Sequence, residues 1–101
     1  MSEIWVQLDD GQSMCAFIAD RYGFLMYLRF SGDAGFTSRN PNYCGSSGTE
    51  ISYMLQNGQV DSYPASWAIP IDEVQQSLEY FRTECKRPPW ITWHDDSDTE
   101  E

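Results

Sequence analysis

Basic residues are scarce in this chain. Lys and Arg number 6 among 101 residues against 16 Asp and Glu, which gives a formal net charge of −10. A nucleic-acid binder needs Lys and Arg to neutralise phosphates, so this balance argues against that class of protein. A charge of this size instead favours solubility and association with basic partners.

Histidine is scarcer still, since His94 is the only one and lies beside Asp95 and Asp96. A metal site needs ligands that converge from a fixed frame, and neighbours in a charged segment do not supply one. A Cys or Ser nucleophile needs a nearby base. No GxxxxGK[ST] phosphate loop is present. We therefore expect no enzyme activity, no metal and no cofactor.

The sequence also lacks long apolar runs and paired cysteines. No run approaches the ~20 residues of a membrane span, and the N-terminus lacks a basic, signal-like start, so we expect a cytoplasmic protein. Cys15, Cys44 and Cys85 are odd in number and widely separated, which excludes a complete disulfide framework. Buried thiols are the simplest interpretation.

The remaining composition is that of one packed domain. Apolar residues make up 41% and aromatic residues 15% of the chain, and its length suffices for a single modest core. We expect this domain to span residues 1–94, followed by an acidic, disordered tail over residues 95–101. The tail carries five of the acidic residues, so the domain itself retains a charge of about −5.

The clearest local pattern predicts a helix that begins near Pro70 and ends before Pro88–Pro89. At about 100° per residue, one apolar stripe contains Ile71, Val74, Leu78, Phe81 and Cys85. Pro70 suits the first helical position, where no intrahelical acceptor awaits its missing N–H. Residues 90–93 are typical of a short aromatic strand that follows the helix.

Two Gly-containing dipeptides predict hairpins. Asp10–Gly11 suits a two-residue type I′ turn that would place Val6 opposite Cys15. Residues 14–22, however, also fit a helix ended by Gly23. Asn57–Gly58 suits a second such turn.

In this second hairpin, Ile51, Tyr53 and Leu55 would share one face and Val60 would lie opposite Leu55.

Residues 24–30 are apolar on both faces, as in a central strand that is covered on two sides. Residues 31–48 are rich in Gly, Ser and Asn, which indicates a long loop with one short strand near Phe36. The predicted architecture is α+β: a mainly antiparallel sheet of about five to six strands, with one long C-terminal helix packed on a face.

Several aromatic residues are placed where a core cannot hold all of them. Trp90 and Trp93 would face opposite sides of a strand, and Trp5 lies opposite the face of Ile4 and Val6. Partly exposed aromatic residues among acidic ones are typical of a protein-binding surface. The alternative is that the helix and a second layer of the sheet cover them.

Together these segments resemble an immunity-protein family of bacterial polymorphic toxin systems. The motifs that carry the resemblance span residues 22–95: Phe24-Leu-Met-Tyr-Leu-Arg29, Gly32-Asp-Ala-Gly-Phe36, Ser38-Arg-Asn-Pro41, Asn57-Gly-Gln-Val-Asp61, Tyr63-Pro-Ala-Ser-Trp67, the Pro70 helix with Tyr80-Phe81, and Arg87-Pro88 with Trp90-Ile-Thr-Trp93. Members are small inhibitors that bind a cognate toxin domain, and their partners include deaminases and nucleases that attack nucleic acids. The resemblance implies toxin neutralisation here.

The resulting hypothesis is an immunity protein that binds a basic toxin domain one to one. A toxin that acts on nucleic acid needs a basic cleft, which the carboxylates of Asp33, Asp95 and Asp96 could fill in place of phosphates. Phe36 and Tyr43 are the candidate aromatic anchors, although Phe36 could instead pack in the core. The alternative function is an acidic protein-binding adaptor without inhibitory activity.

Overall fold

The computed structural model describes residues 3–96. In chain order the elements are β1 Glu3–Gln7, β2 Ser13–Ala19, β3 Tyr22–Leu28, β4 Phe36–Arg39, β5 Glu50–Met54, β6 Val60–Pro64, a 3₁₀ turn Ala65–Trp67, β7 Ile69–Pro70, α1 Ile71–Glu84 and β8 Thr92–Asp95. Within these residues no helix is long and apolar enough to cross a membrane.

The strands form one main sheet and one separate hairpin. The main sheet has the order β1-β2-β3-β4-β8, with β7 paired to the start of β3, while β5 and β6 pair only with each other. The pairs are antiparallel. This confirms the predicted α+β class, and β2 shows that the helical alternative for residues 14–22 was wrong. Since β8 follows α1, the helix lies near the C-terminal end and not at it.

Helix α1 covers one face of the main sheet. Alternate residues of β2 and β3 point towards it, because successive side chains of a strand leave opposite faces. The core on this face consists of Val6, Met14, Ala16, Leu25, Tyr27, Ile69, Val74, Leu78, Phe81 and Ile91. Val74 and Phe81 are fully buried, so the predicted apolar stripe of the helix is the face that packs.

The β5–β6 hairpin covers the opposite face. Its core consists of Cys15, Phe17, Phe24 and Tyr53, with Tyr63 and Trp67 packed against them. The rings of Phe17 and Phe24 stack at 4.8 Å, and Tyr53 meets Phe24 edge-on at 5.2 Å. The coverage of β3 on both faces is therefore confirmed, and the second layer is the hairpin.

Both predicted hairpin registers were wrong by one residue. Val6 lies opposite Met14 and not Cys15, and Val60 lies opposite Met54 and not Leu55. Beyond the strand ends, the Leu8 N–H donates to the Gln12 carbonyl and the Leu55 N–H to the Gln59 carbonyl, both at 2.8 Å, so each hairpin closes on a three-residue loop. Each loop ends on a glycine with positive φ, +101° at Gly11 and +87° at Gly58. Such loops close by a type I turn followed by a glycine bulge, and they use the same dipeptides as the expected type I′ turns.

Two expectations about the helix and the cysteines also need correction. Pro70 is the N-cap and not the first helical residue. Cys85 is the C-cap in the left-handed conformation, with φ +59°, so its side chain leaves the apolar stripe and is exposed. Cys44 is exposed as well, and only Cys15 of the three is buried.

The tryptophans divide between core and surface. Trp93 packs against the helix-side core and Trp67 against the hairpin-side core. Trp5 and Trp90 are exposed, at 37% and 46%. Trp90 and Trp93 are therefore not both core residues, as predicted, but the predicted strand over residues 90–93 was wrong: β8 begins at Thr92, so Trp90 lies in the turn before it.

Candidate partner-binding surface

Strand pairing brings three of the five candidate contact residues to one corner of the sheet. β4 pairs with β8 so that Phe36 lies opposite Asp95. Residues directly opposite in an antiparallel pair point to the same face. Asp33 lies in the turn before β4 and contacts Arg29, whose guanidinium lies 5.1 Å from the Phe36 ring centre. Asp95 also interacts electrostatically with Arg29.

The Asp33 carboxylate is held by hydrogen bonds to Arg29 at the start of its own turn. Its Oδ2 accepts hydrogen bonds from Arg29 Nε at 2.8 Å and from the Arg29 backbone N–H at 2.9 Å, and its Oδ1 accepts one from Nη2 at 2.9 Å. Only 2% of the Asp33 side chain is exposed. These bonds hold the pKa of the Asp33 carboxyl well below its ordinary value. Asp33 therefore closes its turn and positions Arg29.

The segment after α1 is held at both ends against this corner. The Gln12 Nε2 donates to the Cys85 carbonyl at 2.9 Å, while Gln12 Oε1 accepts from the Tyr27 hydroxyl at 2.6 Å. At the other end, Trp93 Nε1 donates to the Pro88 carbonyl at 3.0 Å. Residues 86 and 87 between these two attachments are thereby placed beside Tyr27.

A cavity of about 350 Å³ opens at this place. Its lining, here called the cationic pocket, consists of Tyr27, Arg29, Phe36, Lys86 and Arg87. The Arg87 guanidinium lies 4.3 Å from the Phe36 ring centre and 5.8 Å from that of Tyr27. Burial raises the pKa of the Tyr27 hydroxyl, so the floor of the pocket stays neutral at physiological pH.

Asp96 belongs to the opposite face of the same corner. Its Oδ2 accepts a hydrogen bond from Thr37 Oγ1 at 2.8 Å, and Thr37 Oγ1 also accepts from Arg39 Nη1 at 2.8 Å. The Arg39 guanidinium lies over the Trp67 ring at 4.3 Å, where burial lowers its pKa. The first two residues of the predicted tail are thus engaged by the sheet, and residues 97–101 lie outside the described part of the chain.

The environment of His94 offers little for chemistry. His94 Nε2 lies 3.5 Å from Asp96 Oδ1, and its side chain is 56% exposed. Across residues 3–96, no three His, Cys, Asp or Glu side chains are grouped so that they could hold a metal ion.

Tyr43 lies away from this corner, beyond the other end of β4. Its backbone N–H donates to the Asn40 carbonyl at 3.1 Å and its hydroxyl to the Ser46 carbonyl at 2.7 Å. It lines a mostly apolar cavity of about 320 Å³ together with Tyr22 and Ile51. The structure therefore groups Asp33, Phe36 and Asp95, places Asp96 behind them, and separates Tyr43.

The sequence interpretation missed the basic residues of the cationic pocket. Lys86 and Arg87 lie just after the helix, where the helix dipole favours cations. Because this explains their presence, the sequence gives no sign that they also line a pocket. Arg29 follows β3 without a distinguishing pattern. One signal could have found them: only six residues of the chain are basic, and three of these lie just after β3 or α1, whose ends the fold brings together.

Comparison with known proteins identifies the family of this chain but not its contact residues. No curated protein matches the chain significantly. The sequence does match the family described as Immunity protein Imm1 over residues 2–95, which includes every described strand and the helix. Because this match covers nearly the whole chain, the protein belongs to the Imm1 immunity protein family.

Proposed function

We propose that this immunity protein neutralises a basic, nucleic-acid-targeting toxin domain by binding it one to one and covering its active site. Membership of the Imm1 family carries the proposal, since an immunity protein acts on a cognate toxin. The net charge of −10 supports the basic character of that toxin. Inhibition by binding needs one equivalent of inhibitor and no turnover.

The corner where β4 meets β8 is the best-supported contact surface. Asp95 is exposed there, and Asp96 lies directly behind it on the other face. Phe30 beside Arg29 is 55% exposed, which adds an aromatic side chain to the same rim. Carboxylates next to an exposed aromatic residue suit a basic cleft with apolar walls. Tyr43 on its separate loop is a second contact in this proposal.

Co-expression with the product of the adjacent upstream reading frame tests the function. We expect that product alone to stop growth and this protein to restore it, and light scattering should give a one-to-one complex. A complex that forms without restoring growth would favour the adaptor function instead. Growth arrest that is equal with and without this protein, and no complex, would remove the proposal.

A charge-matched pair of variants tests the surface. Asp95→Asn with Asp96→Asn should weaken binding by about tenfold or more, because a basic cleft that encloses this corner would meet a carboxylate on each of its two faces. Asp20→Asn with Asp61→Asn removes the same charge elsewhere: Asp20 lies in the β2–β3 turn at the far end of β3, and Asp61 lies on the hairpin. Equal weakening by both pairs would mean that only total charge matters.

A further inference from the structure

The cationic pocket is unexpected on so acidic a protein. Three of the six basic residues line one cavity, although 16 carboxylates are available to neutralise them. Arg29 is balanced by Asp33 and is influenced by Asp95. Lys86 and Arg87 form no ion pair with any residue that the structure describes. The pocket therefore keeps two cations that no residue within 3–96 neutralises by an ion pair.

The pocket is built before any partner arrives. Gln12 and Trp93 fix the backbone on both sides of Lys86 and Arg87 by hydrogen bonds of 2.9 and 3.0 Å. The centre of the Phe36 ring lies 5.1 Å from the Arg29 guanidinium and 4.3 Å from that of Arg87. A guanidinium that lies over a ring still presents the N–H groups of its edge, which match the two oxygens of a carboxylate.

We infer that the cationic pocket receives an Asp or Glu side chain of the toxin when the complex forms. The inference rests on the proposed function and deepens it, because it names the chemistry that one part of the interface recognises. The exposed carboxylates around the protein attract a basic toxin, and the pocket then selects the orientation in which an acidic toxin residue meets Lys86 and Arg87. Opposite charges in two adjoining patches fix the register of an interface better than one uniform charge does.

The overall charge decides between the possible anions. A nucleic-acid strand presents a phosphate for every nucleotide, and most would face the carboxylates of a protein that carries −10. A single carboxylate on a basic protein partner avoids that repulsion, because the residues around it are positive.

The experiment compares two variants with the same change of charge. Arg87→Met keeps an apolar stem over Phe36 but removes the donors, whereas Arg82→Met removes an exposed Arg of α1 that pairs only loosely with Glu79 at 3.4 Å. Binding kinetics are measured against an inactive form of the toxin domain. We expect Arg87→Met to raise Kd by about tenfold or more, mainly through koff, and Arg82→Met to stay within about twofold of the wild type.

Thermal stability is measured alongside, and Lys86→Met replaces Arg87→Met if the latter unfolds. A double-mutant cycle then changes each surface Asp or Glu of the toxin to its amide, and one of these changes should abolish the difference between wild type and Arg87→Met. Equal effects of Arg87→Met and Arg82→Met, or the absence of any coupled toxin carboxylate, would overturn the inference alone. Failure of the wild-type protein to bind would instead overturn the proposed function.

Discussion

The Arg29–Asp33 ion pair links the end of β3, the turn that follows it and β4. The Asp33 carboxylate accepts two hydrogen bonds from the Arg29 guanidinium and one from the Arg29 backbone N–H. The guanidinium in turn lies over Phe36 on β4. A bidentate pair of this kind restricts both partners more strongly than an exposed pair between flexible side chains. Asp33 therefore shapes the cationic pocket without lining it.

The pH dependence of stability should show the role of Asp33. Because the folded pKa lies below the ordinary value of 3.8, the pair stabilises the fold fully above that pH and loses its contribution as the pH falls below it toward the folded value. Asp33→Asn should lower Tm at pH 7, and its difference from the wild type should narrow at about pH 3. Asp20→Asn is the control, since Asp20 forms no ion pair within residues 3–96 and Asn tolerates its φ of +60°. A difference that stays constant with pH would contradict this role.

At the residue scale, the sequence could nominate candidate contact residues only from local patterns. A carboxylate in a Gly-rich turn and an aromatic residue at the start of a short strand were visible as candidates. Their meeting with Asp95 depends on the pairing of β4 with β8, which are separated by more than fifty residues, and no local pattern encodes that pairing. Arg87 was missed for the same reason, since its neighbours Tyr27 and Phe36 are distant in sequence.

At the scale of the elements, the two hairpins show the limit of turn motifs. Asp10–Gly11 and Asn57–Gly58 fit a two-residue type I′ turn and also a three-residue loop that ends on glycine. Burial decides between them, because a shift of one residue moves a strand's side chains to the other face. The three-residue loop sets Val6 beside Met14 in the helix-side core and leaves Cys15 to the hairpin-side core.

Gly58→Ala should test the second loop. No atom lies within 4 Å of a Cβ built on Gly58, so the cost comes from its φ of +87° alone, and we expect a loss of about 1–2 kcal/mol in the free energy of unfolding. Gly48→Ala is the matched control because its surroundings are equally open and its φ is not positive. It should be neutral or stabilising by up to about 1 kcal/mol. Equal effects in urea denaturation would rule out the glycine bulge.

At the scale of the whole molecule, the arrangement of layers could be predicted only in part from the sequence. The apolar run of β3 predicted cover on two faces, and the amphipathic helix supplied one layer. The sequence did not assign the β5–β6 hairpin to a layer, because alternation marks a strand with one buried face but not the layer that this face meets. Tyr53 and Tyr63 provide the contact with Phe17 and Phe24, and only tertiary packing reveals it.

The charge of the whole chain leads to the last prediction. An excess of ten negative charges acts over distances far longer than any contact, so it should govern how fast a basic toxin arrives and not how long it stays. The Debye length falls from ~30 Å at 0.01 M salt to ~8 Å at 0.15 M, and kon should fall by roughly tenfold or more across that range while koff changes little. Deleting residues 97–101 removes Asp98, Glu100 and Glu101 and should lower kon modestly with koff unchanged, in contrast to Arg87→Met. Stopped-flow association at several salt concentrations makes the measurement, and a kon that is indifferent to salt would show that the acidic surface does not steer the partner.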